Sequence, residues 1–198
     1  MTGAVALPEP CTLPALQDYV ARMVEGRGFT QDVERVFVLW VEELGELAEQ
    51  LADSAPADAL ALGAELADVT LYLADLANGL RVNLEQSIGA ALPGPVPRPG
   101  AGAPLSAWQA CAAGPAGPAG PPEPAEASAQ RAVLGLLAAA GQVARVLRKR
   151  WSGREGDGAR PLADALGHVL RLANRADIDL TRAIADKERE NAGRVWSY

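Results

Sequence analysis

An all-α fold is expected from three observations. Apolar residues make up 49% of the 198 positions and aromatics only 5%. Ala and Leu dominate the apolar set, and both favour helix, whereas strands draw on Val, Ile and aromatics. Apolar residues also recur at helical spacing over long windows, as in Leu62, Leu66, Val69, Leu73 and Leu76. Finally, the breakers are gathered in one place. Residues 93–124, PGPVPRPGAGAPLSAWQACAAGPAGPAGPPEP, hold 10 of the 15 prolines, and proline removes a backbone donor and resists helix.

The elements follow in order. A first helix is expected over 12–26, stopping near GRGF. A second runs over 31–53 and is broken by Ser54 and Pro56, with Pro56 suited to an early position of the next helix. The third covers 57–79, with Gly79 as its stop. A short helix begins at Asn83, an acceptable N-cap. Residues 93–126 read as a Pro/Gly/Ala-rich linker with a short ordered island at LSAWQACAA. Helices over 127–151, 161–176 and 179–194 complete the chain, the last capped by Asp179.

The linker separates two units, 1–92 and 127–198, that resemble each other. TLPALQDYV (12–20) is similar to PLSAWQACA (104–112), EELGELAEQL (42–51) can be laid on AAAGQVARVL (138–147), and VNLEQSI (82–88) matches IDLTRAI (178–184). The shared order of these weak matches points to an internal duplication. Two helical-hairpin repeats packed as a pseudo-dimeric helical bundle are expected.

A net charge of −7 argues against general nucleic-acid binding, which needs clustered Lys and Arg. The N-terminus has no basic region followed by an apolar run, and no uncharged apolar stretch reaches about 18 residues. A cytoplasmic protein with no membrane partner is the expectation. Cys11 and Cys111 lack metal-type spacing and read as reduced thiols. His168 is the only histidine, which excludes a histidine-based metal site and suits a structural role. No G-x-x-x-x-G-K-[ST] loop is present. The basic run RVLRKRWSGR (145–154) reads as a solvated helix end.

The acids are more informative. On the second helix Trp40, Val41, Leu44, Leu47, Ala48 and Leu51 form an apolar stripe, with Glu43 at its edge and Glu46 one turn on. On the third, Glu65, Asp68, Tyr72 and Asp75 line one flank of the stripe at i, i+3, i+7 and i+10. On a single helix such acids are an ordinary stripe boundary. If the two helices form an antiparallel hairpin, however, Glu43 and Glu46 face Glu65 and Asp68. Four carboxylates that close repel and force protonation unless a cation joins them. Mg²⁺ or Mn²⁺, which take oxygen ligands at short range, are the expected cofactors.

E-x-x-E at Glu43–Glu46 and E-x-x-D at Glu65–Asp68, with 18 residues between, resemble the MazG-like family of all-α nucleotide pyrophosphohydrolases. LQDYVARMVEGRGF, VEELGELAEQL and ELADVTLYLADLA are close to that family's usual run. The likeness covers 12–90 well and 160–198 moderately. It implies that the four acids hold Mg²⁺. With an activated water, the metal then cleaves a nucleoside triphosphate between its α and β phosphates, releasing monophosphate and pyrophosphate. Glu46 is the expected proton acceptor. The resemblance also implies a basic phosphate-binding tail, K-x-x-x-N-x-x-R and an aromatic, matched here by Lys187, Asn191, Arg194 and Trp196.

That tail sits in the other half from the acids. The first half has prolines 93, 95, 97 and 99 where its tail belongs. In the second half Ala139, Gln142 and Gly167 stand for Glu43, Glu46 and Asp68, and only Asp164, for Glu65, stays acidic. One composite site between the halves is therefore expected. The plainer reading of DKERENAGR is a solvated, charged helix end. The rival function is a catalytically inactive nucleotide-binding or scaffold module. Phe37, Trp40, Trp108 and Trp196 are candidate walls of a base pocket, and further pairing of the chain as a homo-dimer is open.

Overall fold

The computed structural model describes residues 6–52, 58–113 and 125–192. Among them the secondary structure is helical: α1 (Leu13–Arg27), α2 (Val33–Ala52), α3 (Ala59–Gly79), α4 (Leu84–Ile88), α5 (Leu105–Ala112), α6 (Ala125–Trp151), α7 (Ala159–Arg175) and α8 (Leu180–Asn191). No helix of the described residues is long and apolar enough to cross a membrane.

The starts and stops have local causes. Thr12 Oγ1 accepts from the Ala15 amide at 3.2 Å and opens α1, and Gly28, at φ 69°, closes it in the left-handed conformation that glycine takes without strain. Asp32 accepts from the Glu34 amide at 2.9 Å and starts α2 one turn's edge later than the periodicity predicts. Asn83 and Asp179 cap α4 and α8 by accepting from the amides of Gln86 and Arg182. The predicted break at Ser54 and Pro56 lies outside the described residues.

The centre of the molecule is α3. Its stripe of Leu62, Leu66, Val69, Leu73 and Leu76 is buried throughout, and the helix packs against α1, α2, α7 and α8. In turn α7 packs against α3, α4, α5 and α6. Gly79 sits where an added Cβ would meet Val33 Cγ2 at 3.0 Å. The start of α2 therefore lies on the end of α3, and the hairpin is antiparallel, as the acid pattern requires.

The halves make the same local hydrogen bonds. Gln17 donates to the Val82 carbonyl at 2.9 Å, accepts from the Leu84 amide at 3.0 Å, and its own carbonyl accepts from Asn78 at 2.9 Å. Gln109 donates to the Ile178 carbonyl at 2.7 Å, accepts from the Leu180 amide at 3.2 Å, and its carbonyl accepts from Asn174 at 2.7 Å. Arg81 and Asp177, at the matching turns, both have positive φ, 59° and 54°.

The ordered island expected within 93–126 is α5, whose Leu105 and Trp108 are fully buried. The expected register of α7 is corrected by three residues: Asn174 matches Asn78, so Asp164 matches Asp68, Pro161 matches Glu65 and His168 matches Tyr72. The Ala- and Leu-rich helices fit almost as well when slid by three, and only the glutamine clamps fix the alignment. Val41, placed in the stripe of α2, is 40% exposed beside Val38.

Because each clamp ties three elements with partly buried hydrogen bonds, Gln17→Ala and Gln109→Ala are each expected to cost about 2 kcal/mol of stability. Denaturant unfolding of the two variants checks this, and comparable losses from both halves are the expected outcome.

Candidate metal centre and cleft

The antiparallel α2–α3 hairpin brings Glu43 and Glu46 to Glu65. One carboxylate oxygen from each lies within 4.8 Å of the other two. Glu43 and Glu65 are half-buried and Glu46 is exposed. Glu65 Oε2 is buried and has no hydrogen-bond partner among the described residues. Asp68, the fourth predicted acid, is held differently. Its carboxylate is 2.5 Å from Lys187 Nζ, both side chains being largely buried at 14% and 11% exposure. The structure thus brings together Glu43, Glu46 and Glu65 as one cluster, with Asp68 beside them and paired to a cation from α8.

The electrostatics follow from crowding out of water. Burial pushes the Glu43 carboxyl up to about 8, and the charges of Asp68, Glu46 and Glu65 add to it while Lys187 opposes. Glu65 is also raised, by burial first, with Lys187 pulling it down and Glu46 and Asp68 pushing it up. Burial works against the charge of Lys187, yet its hydrogen bond to Asp68 and the charges of Asp68, Glu65 and Glu190 leave its pKa above the ordinary lysine range.

These residues fit a hard divalent cation. The donor set is all carboxylate oxygen, one buried oxygen is unpartnered, and the proton that Glu43 retains is what a cation displaces. The sign of the pH effect is fixed by the direction of the shift. Glu43 has a higher pKa folded than unfolded, so its contribution to stability is complete below about 4.5 and is lost as pH rises through about 8. Asp75, pushed up to about 6 by burial, acts in the same sense, and His168, lowered by burial and Arg171, acts in the opposite one. In EDTA, the melting temperature of wild type is expected to fall between pH 5 and pH 8 relative to that of Glu43→Gln, a comparison in which the other groups cancel. Added Mg²⁺ should raise the wild-type melting temperature most at pH 8.

A cleft of about 690 Å³ opens beside the cluster. Glu43, Asp68 and Lys187 stand at one part of its wall, and Val36, Leu39, Leu71, Tyr72 and Phe29 provide an apolar part. Asn191 also lines it. This side chain is buried, donates to Glu188 Oε1 at 3.3 Å, and its Oδ1 has no partner among the described residues. Lys187 and Asn191 therefore both reach the acids' cleft from the other half of the chain. Arg194 and Trp196 lie outside the described residues.

Sequence reasoning missed what holds α8 in place. Glu188 is buried, accepts from the Tyr19 hydroxyl and pairs with Arg27 Nη2 at 2.8 Å. Burial and the neighbouring Glu188 carboxylate push the Tyr19 hydroxyl pKa up. No local signal marks this trio, because its members are 161 and 169 residues apart. The aromatic walls were also misplaced. Trp40 and Trp108 are fully buried in the core, and Phe37 packs on Trp40 with ring centroids 6.2 Å apart. Phe29 and Tyr72 line the cleft instead.

Among the described residues the second half keeps no equivalent cluster. Ala139, Gln142 and Pro161 stand at the positions of Glu43, Glu46 and Glu65, and Asp164 pairs with Arg160 of its own helix at 2.9 Å. His168 is half-buried against α6, where Gly135 leaves room for its ring. No protein-family model, curated protein or solved structure matches the chain.

Proposed function

We propose that the protein hydrolyses a (deoxy)nucleoside triphosphate to the monophosphate and pyrophosphate, using one composite site per chain built by two repeats packed as a pseudo-dimer. The observation that carries this reading is the Lys187–Asp68 pair at 2.5 Å beside the three-carboxylate cluster. It places a cation from one half against the acids of the other, in the wall of a cleft of nucleotide size.

Glu43, Glu46 and Glu65 are the residues that would hold Mg²⁺ or Mn²⁺, with Asp68 joining them once Lys187 turns to substrate. When bound, Mg²⁺ supplies charge neutralisation for the triphosphate and polarises the attacked phosphorus. Glu46, the acid open to solvent, takes the proton from the attacking water. Lys187 exchanges its carboxylate partner for a phosphate oxygen, and Asn191 offers its amide to the same substrate. Arg194 is the further phosphate ligand that the sequence motif implies. Phosphoryl transfer asks mainly for positioning and charge stabilisation, which these residues provide without a nucleophilic Ser or Cys. Removal of unwanted nucleotides from the cellular pool is the role that fits.

The test is a panel of common and deoxyuridine nucleoside triphosphates incubated with purified protein. Pyrophosphate release that requires Mg²⁺ and stops in EDTA is expected from at least one of them. Release equal to the enzyme-free blank across the whole panel would instead establish a non-catalytic module.

A further inference from the structure

One carboxyl of the cleft is used by neither the metal nor the phosphate roles. Asp75 lines the same cavity as Glu43, Asp68 and Lys187, is half-buried, and has no hydrogen bond or ion pair among the described residues. Its charged neighbours on that wall are engaged elsewhere. Arg27 pairs with Glu188 at 2.8 Å, Arg35 with Asp32 at 3.8 Å and Lys187 with Asp68.

Its position is set by helix geometry. Asp75 lies seven residues beyond Asp68 on α3, hence on the same face and about 10 Å farther along the axis. Leu71 and Tyr72 lie between them, with Val36 and Leu39 of α2 and Phe29 also on the cavity wall. A ligand whose phosphates sit at the acidic end thus crosses an apolar stretch and meets the Asp75 carboxyl beyond it, whereas Glu188, the other acid of the lining, is taken up by Arg27 and Tyr19. That is the order of groups in a nucleotide: phosphate, sugar, base, and the polar edge of the base.

Burial holds the Asp75 carboxyl at about 6, so near neutral pH it is mainly the carboxylate, which only accepts hydrogen bonds. Among the common bases, guanine presents two adjacent N–H donors, N1–H and the N2 amino group, on one edge. Adenine and cytosine pair a donor with an acceptor there, and uracil flanks its single donor with carbonyl oxygens. An acceptor facing an acceptor is left unsatisfied and desolvated, which is the costly outcome.

We infer that Asp75 is the specificity-determining residue of the cleft, selecting a guanine base through its N1–H and N2–H donors. The inference rests on the nucleotide reading above and adds the base to it.

The experiment compares wild type with Asp75→Asn, an isosteric change, after thermal melting has established that both fold. Pyrophosphate release is measured with dGTP, dITP, dCTP, dATP and dUTP, and binding of dGMP and dIMP by calorimetry. Wild type is expected to prefer dGTP over dITP, which lacks the 2-amino donor, by about tenfold or more. Asp75→Asn should lose about that factor on dGTP and leave dUTP within about twofold. Hydrolysis with no dGTP-over-dITP preference, or an equal loss on all five in the variant, overturns the role of Asp75 and leaves the hydrolase reading standing. A dGMP-over-dIMP preference that vanishes in the variant, with no pyrophosphate from any nucleotide, upholds Asp75 and overturns hydrolysis. An absence of both release and base preference overturns the two together.

Discussion

Glu46→Gln is expected to abolish Mg²⁺-dependent pyrophosphate release, with kcat reduced by about a thousandfold or more and the melting temperature in EDTA nearly unchanged. Glu46 is the exposed member of the cluster, so the folded protein loses no buried contact when its charge is removed. The site loses both a ligand oxygen charge and the proton acceptor. Glu43→Gln provides the contrast. Its carboxyl is half-buried and already inclined to hold a proton, so the neutral amide should stabilise the metal-free protein while weakening Mg²⁺ binding. The two substitutions are three residues apart on one helix, yet they separate catalysis from folding. Kinetic assay, Mg²⁺ titration and thermal melting of the pair check this, and full activity in Glu46→Gln would rule out its assignment as the base.

The second large effect concerns Lys187. Replacing it with Ala removes the cation that pairs with Asp68 at 2.5 Å and takes its positive charge away from the acids beside it. Two opposite changes are expected. Mg²⁺ affinity should rise, because Asp68 is released to the cation site and a competing positive charge is gone. Substrate use should fall, with kcat/KM lower by about a hundredfold, because a buried charge-assisted phosphate contact is lost. A purely structural role for the ion pair predicts a lower melting temperature without this divergence. Lys187→Arg should recover part of the substrate term, since it retains the charge. Unchanged kcat/KM in Lys187→Ala would show that the first half works alone and that the composite arrangement is wrong.

Much of this architecture could be read from residues alone, and particular elements show where that ended. The stripe Leu62–Leu76 on α3 has one helical register, and all five of its members are buried. The caps at Asn83 and Asp179 were legible because their chemistry is local. The acid cluster was legible because two E-x-x-acid spacings need only one hairpin to meet. The three-residue slip in the second half was not, because Ala and Leu repeat too often to resolve it without the clamps of Gln17 and Gln109. Trp40 and Trp108 misled for a physical reason: a large ring removes most apolar surface from water when it is buried, and both lie in the core. Complementary gaps in the two halves pointed to Lys187 as a phosphate ligand of one composite site and not to its pairing with Asp68, and the Tyr19–Arg27–Glu188 trio had no counterpart in any spacing.

The crossing of the elements has a further consequence. α3 rests on α8 and α7 on α4, so the polypeptide is laced like a boot, each side drawn tight by the other. A lesion in α8 is then expected to be felt at the acids of α2 and α3. The lacing is what lets a single cavity take its wall from Glu43 and Asp68 on one side and from Lys187 and Asn191 on the other.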